Sequence, residues 1–219
     1  MKKIICCPKA DIPNNIAPDV EYFSLYSSIK PKRDNVSYFA RQLKADIRKA
    51  GLLVTHQAWD FATIALSVAA ADSACSRLDS ADGWTRQIEL DIYLQDPLLW
   101  HSQISTLERT FRFLTGDFWK LRFIPGGLPP PRPNGNQIRS YDSDCVSLLS
   151  GGVDSLVGAI DLSCMGKNPL FISKIVPGDK DIQHQIAARL NASERHLQWS
   201  FTSPSPNEHE PSGSVPLFL

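Results

Sequence analysis

A chain of 219 residues has room for one large domain or two small ones, and its 42% apolar and 21% charged residues are those of a core-burying globular protein. Lys plus Arg and Asp plus Glu both number 23. That zero net charge draws the chain as a whole neither to nucleic acid nor to an anionic membrane, although a local basic patch stays open.

The five cysteines, Cys6, Cys7, Cys75, Cys145 and Cys164, are too irregular for a disulfide framework and contain no CxxC pair. A reducing, cytoplasmic location is expected. The start, MKKIICCPKADIP, lacks the apolar core of a signal peptide. The longest apolar-rich run, FATIALSVAAA, is about half a membrane span and reads as a buried helix.

In chain order, KKIICC and EYFSLYSSI are predicted strands, short and rich in β-branched or aromatic residues. NVSYFARQLKADIRKAG then has Val36, Phe39, Ala40, Leu43 and Ile47 at helical spacing, with Gly51 as a stop. A second, more buried helix is expected over about 55–77, followed by a turn at DSADG. WTRQIELDIYL alternates, with Ile88, Leu90, Ile92 and Leu94 on one side, and predicts a half-buried strand. An amphipathic helix carrying Leu107, Phe111 and Leu114 and closed by Gly116, then a strand FWKLRFI, complete a small N-terminal α/β domain over 1–125 with local hairpin and crossover connections.

Residues 126–143 are rich in Pro and Gly and read as an inter-domain linker. Within them LPPPRP has an alternative reading, a polyproline ligand for an SH3 or WW domain. The next pattern is βαβ: CVSLL a buried strand, SGGVDS a turn, VDSLVGAIDLSCM a helix and LFISKIV a second strand. A further helix, DKDIQHQIAARLNA, and a possible strand, RHLQWSF, follow. The nucleotide domain is placed at 144–202, and 203–219 is an irregular tail.

SGGVDS carries the chemistry. A Gly-Gly pair at a strand-to-helix turn lets backbone approach a ligand closely. The following helix presents free N–H groups and the positive end of its dipole, and Ser150 and Ser155 add hydroxyls. This suits a phosphate or pyrophosphate. Asp154 would repel a bare anion, so it implies either a magnesium-bound triphosphate or a helix-capping role. A Walker A loop and the GxGxxG fingerprint are both absent.

SGGVDS resembles the SGGxDS signature of the PP-loop ATP pyrophosphatases, in the same place between strand and helix. The resemblance implies an adenine nucleotide alpha hydrolase-like parallel sheet, of which this chain holds the first part. It also implies ATP with Mg2+, and a pyrophosphate site lined by Ser150, Gly151, Gly152, Asp154 and Ser155, with Asp154 and Ser155 as the catalytic positions.

With DGWTRQIELDIYLQDPLLW and LERTFRFLTGDFW before the loop, the chain is similar to the 7-cyano-7-deazaguanine synthase-like (QueC-like) proteins of anti-phage operons, among them the QatC-like proteins of the Qat system. That implies ATP-dependent activation of a deazaguanine carboxylate. Attachment of the deazaguanine to a partner protein and a QatB-like partner from the same defence operon are implied with it.

The pattern also departs from the family. No cysteine follows Cys164, so the zinc cluster of the synthase has no counterpart, and the ending SPSPNEHEPSGSVPLFL resembles a truncated or frame-shifted reading. A sheet of at most three strands is expected, with an open edge and uncovered apolar faces on CVSLL and LFISKIV that a partner would cover.

A catalytically incomplete nucleotide-binding or partner-docking subunit is therefore the alternative. A PP-loop tRNA-modifying enzyme is a lesser one, disfavoured by the neutral charge. His184 and His196 are candidates to meet a base or substrate, and Lys174 and Lys180 to offset phosphate charge; each also reads as an ordinary surface residue. Trp59, Trp84, Trp100 and Trp119 are expected in core or interface packing.

Overall fold

The computed structural model describes residues 1–27, 35–133, 138–175 and 178–200. Along the chain lie β1 (Lys2–Cys7), β2 (Val20–Leu25), β3 (Val36–Phe39), α1 (Leu43–Ala50), α2 (His56–Ala74) and β4 (Gln87–Leu94). They are followed by α3 (Pro97–His101), α4 (Ile104–Thr115), β5 (Phe118–Pro125), β6 (Cys145–Leu148), α5 (Val153–Cys164), β7 (Pro169–Lys174), α6 (Lys180–Arg189) and β8 (His196–Trp199). Contacts divide these elements into two units. Met1–Arg41 and Val54–Pro130 form the first, and Gln42–Leu53 with 131–200 forms the second.

The first unit is a five-stranded sheet in the order β3-β2-β1-β4-β5 with every pair parallel. This corrects the expected hairpins: no strand pair of this sheet is antiparallel, so each connection is a crossover. The chain steps outward from β1 to β3, then returns to place β4 on the other side of β1.

β4 departs from the half-buried strand expected of its alternation. Ile88, Leu90, Ile92 and Leu94 are buried on the face covered by α2 and α4, where Ser67 meets Cys6 and Phe111 meets Trp119 edge-on at 5.7 Å. Glu89 and Asp91, on the opposite face, are buried as well. Their charges are met by neighbours in register: Arg122 donates to both oxygens of Asp91 at 2.7 and 2.5 Å, and Lys120 and Arg122 each lie 3.6 Å from Glu89. Alternation of polar and apolar types therefore marks two environments here: an apolar core on one face, and on the other two buried carboxylates under half-exposed cations.

The long helix expected from Val36 to Gly51 is two elements. Val36–Phe39 pairs with β2 as a strand, Ala40 takes a left-handed φ of 52°, and only Leu43–Ala50 is helical. Val36 and Phe39, three apart, would share one face of a helix but lie on opposite faces of a strand, and this four-residue strand buries both. The Gly51 stop is as expected: its φ is 70° and its N–H closes on Arg48. The expected strand EYFSLYSSI is seen over Val20–Leu25, and its last residues lie outside the described ones.

α2 is buried along most of its length, from Trp59 to Ala71, and Thr55 caps it by accepting from the Ala58 N–H. No helix among the described residues is long and apolar enough to cross a membrane. Trp59 and Trp119 are core residues, whereas Trp84 is 66% exposed beneath the Arg77 guanidinium, which corrects its expected packing role.

The Pro/Gly-rich stretch is anchored at both ends. Gly127 passes so close to β4 that a Cβ would stand 2.5 Å from the Leu94 carbonyl carbon, and the Leu128 carbonyl accepts from Trp59 Nε1 at 2.8 Å. Farther along, the Arg139 N–H reaches the Gly51 carbonyl and the Tyr141 hydroxyl reaches that of Ala50. The tail 203–219 lies outside the described residues.

The second unit holds a three-stranded parallel sheet, β6-β7-β8, with α5 and α6 as its crossovers. Its core is small: Leu149, Ala159, Phe171, Ala187 and Ala192, backed by Ile186 and Leu190. Helix α1, from much earlier in the chain, packs against β8. The outer side of β6 is bare, with Val146 67% and Leu148 70% exposed. CVSLL is thus not a strand buried on both faces.

Candidate phosphate-binding turn

β6 ends at Leu148; the next residue, Leu149, is fully buried and its N–H still donates to the Ile172 carbonyl at 2.8 Å. The chain then turns through Ser150 and Gly151 into α5. Gly151 has φ of +95°, a conformation that an L side chain adopts only under strain. Gly152 is the N-cap, extended at φ −82° and ψ 169°, and no side chain caps the first turn.

Capping by Asp154 is thereby overturned: Asp154 sits inside the first turn, two residues past the N-cap, with its carboxylate exposed. A carboxylate there favours the helix dipole but cannot fold back to cap it.

The two serines are brought together. Ser155 Oγ donates to the Gly152 carbonyl at 2.9 Å, Ser150 Oγ donates to Ser155 Oγ at 3.0 Å, and the Gly152 N–H reaches Ser150 Oγ at 3.3 Å. Ser150, Gly151, Gly152 and Ser155 therefore form one small concave turn at an uncapped helix N-terminus. Its uncapped first-turn N–H groups, joined by the two hydroxyls once they rotate away from their present acceptors, suit a phosphate or pyrophosphate. Mg2+ fits the same place if the ligand phosphates supply most of its oxygens, with Asp154 as the protein carboxylate. No cluster of three or more His, Cys, Asp or Glu side chains converges as a metal site among the described residues.

The other candidates are not on the turn itself. The rings of His184 and His196 stack at 6.5 Å, and burial, with the neighbouring His184, pushes the His196 imidazole below its usual value. Lys174 ends β7 with its ammonium pKa lowered by burial, and Lys180 opens α6.

Sequence reading missed the side chains that hold the turn from beneath, Gln183 and Ser173, both buried. The signal was present: Gln183 shares a helical stripe with Ala187 and Leu190, so a polar residue stands where an apolar one is expected. Compared with family models, with curated proteins and with solved structures, the chain matches none.

Proposed function

We propose that the second unit is a nucleotide-binding module of the PP-loop ATP pyrophosphatase kind and that its turn holds the pyrophosphate of Mg-ATP. The observation carrying this reading is the SGGVDS turn: a left-handed Gly151, an uncapped α5 and two linked hydroxyls in one concavity, at the carboxyl end of a parallel strand. Ligands of open parallel sheets bind at such strand ends.

On this reading a substrate carboxylate oxygen attacks the α-phosphorus, the bond from that phosphorus to the bridging oxygen breaks, and pyrophosphate leaves with the electron pair. The acyl-adenylate then loses AMP to a nitrogen nucleophile. The turn's part is to hold and neutralise the departing charge. The substrate class carried by the resemblance to QueC-like proteins is a deazaguanine carboxylate, in anti-phage defence, with a protein from the same operon as partner.

Release of labelled pyrophosphate from γ-labelled ATP by the full chain, and its loss in Asp154→Ala and Ser155→Ala, tests the assignment. Equal release by all three proteins sinks it. A second reading, a subunit that binds nucleotide without turnover and docks a partner, is favoured by the bare side of β6 at Val146 and Leu148. Binding of Mg-ATP with no pyrophosphate release supports that reading instead.

A further inference from the structure

The turn owes its shape to side chains outside the motif. Gln183, on α6, is 0% exposed. Its Nε2 donates to the Ser150 carbonyl and to the Lys174 carbonyl, both at 2.9 Å, and its Oε1 accepts from Gln198 Nε2 at 3.1 Å. Both amide protons and the amide oxygen are engaged, by the turn, by the end of β7 and by β8. The carboxamide is thus fixed in one orientation.

One residue earlier the same device recurs. Ser173 Oγ donates to the Leu149 carbonyl at 2.6 Å and lies 2.8 Å from His196 Nε2. A hydroxyl has one proton to give, so His196 donates the second bond and carries its proton on Nε2. Two successive carbonyls, of Leu149 and Ser150, are therefore held toward β7 and α6.

A trans peptide sets its C=O and N–H on opposite sides. Holding the Ser150 carbonyl against Gln183 turns the Gly151 N–H away from it. A Cβ at Gly151 would make only an ordinary contact with Gln183 Cγ, at 3.4 Å, so glycine is required there by its φ of +95°.

We propose that Gln183 is the positioning residue of the phosphate-binding turn, holding the Ser150–Gly151 peptide with its N–H aimed at the bound phosphate before nucleotide arrives. The proposal rests on the reading of the turn as a pyrophosphate cradle. A neutral amide suits this role because it supplies two donors without adding charge beneath an anion. A carboxylate in its place would face two carbonyl oxygens with no proton to give.

The experiment uses the full chain with Gln183→Glu, Gln183→Met and Ser173→Ala. Mg-ATP affinity is measured by calorimetry at pH 8 and pH 5, and hydrogen exchange of the 149–155 backbone is measured without nucleotide. Gln183→Glu is expected to bind about tenfold more weakly than wild type at pH 8 and to recover at pH 5, where the protonated carboxyl donates again. Gln183→Met stays weak at both, and both variants exchange faster at 149–155 at pH 8.

His184 on α6, His196 on β8, Lys174 on β7 and Asp154 on α5 also carry titratable groups. They are present in wild type, so the ratio to wild type at each pH isolates the substituted side chain. Affinity within about twofold of wild type for both Gln183 variants overturns the proposal. If neither variant melts cooperatively, Ser173→Ala decides, with weakened binding for the brace and unchanged binding against it. If wild type itself binds no Mg-ATP, the cradle reading fails. Exchange then decides the brace alone, and unchanged exchange in the variants overturns it too.

Discussion

Arg86 and Asp117 face each other inside the first unit with Nη2 2.6 Å from Oδ2, the arginine side chain 5% and the aspartate 0% exposed. The pair ties distant pieces together. Asp117 also accepts the Arg86 N–H and the Arg77 guanidinium, while Arg86 reaches the Asp72 carboxylate and the carbonyls of Asp72 and Cys75 at the end of α2.

Removing Asp117 leaves Arg86 buried with Asp72 as its remaining carboxylate and leaves the Arg86 N–H without its acceptor. Asp117→Ala is expected to lower unfolding free energy by about 3–5 kcal/mol, measured by urea denaturation. A loss under about 1 kcal/mol would show that water reaches the site and screens it.

The same pair sets an acid dependence. Burial alone would raise the Asp117 carboxyl, but the hydrogen bonds from the Arg86 side chain and backbone, with the charges of Arg86 and Arg77, outweigh it and hold the pKa below its ordinary value. A depressed carboxyl stabilises the fold above the unfolded value of about 4 and loses that contribution as pH falls through the lower folded value. Melting temperatures of wild type and Asp117→Asn should therefore converge in acid. A gap that stays constant down to about pH 2 would contradict this.

Gly151→Ala is expected to cost about 1–3 kcal/mol in thermal stability, because its φ of +95° strains any L side chain. Mg-ATP affinity should fall with it. Unchanged melting would mean that the turn relaxes to another conformation.

The thiols divide into two classes. Burial pushes Cys6 and Cys7 up to about 12 and Cys75 up to about 11, so little thiolate forms at pH 8. Cys164 is exposed. Timed iodoacetamide labelling read by mass spectrometry should modify Cys164 first and leave Cys6, Cys7 and Cys75 unmodified in the native protein.

The bare side of β6 makes a contrast within one small sheet. Leu148→Ser should change stability by no more than about 0.5 kcal/mol, whereas Phe171→Ala, on the covered side of β7, should cost about 3–5 kcal/mol. Equal losses would mean that Leu148 is covered in solution.

Legibility in the sequence followed the range of each signal. The elements from β6 to β8 and the turn between β6 and α5 could be read because SGGVDS, flanking apolar runs and Gly stops are local. The Val36–Gly51 stretch could not, because the i, i+3 spacing of Val36 and Phe39 reads as one helical face, whereas pairing with β2 makes a strand that buries them on opposite faces. Nor could the all-parallel order, which depends on β1 lying between β2 and β4. At the candidate site the motif marks the turn itself, while Gln183 and Ser173 come from α6 and β7 and meet the turn only in the folded chain.

The assignment of Gln42–Leu53 to the second unit has a consequence for handling and synthesis of the chain. No single cut yields both units whole: a fragment starting at 131 lacks α1, and one ending at 130 carries it without β8. During translation α1 leaves the ribosome long before the strand it packs against, so the second unit cannot finish assembling until β8 is made.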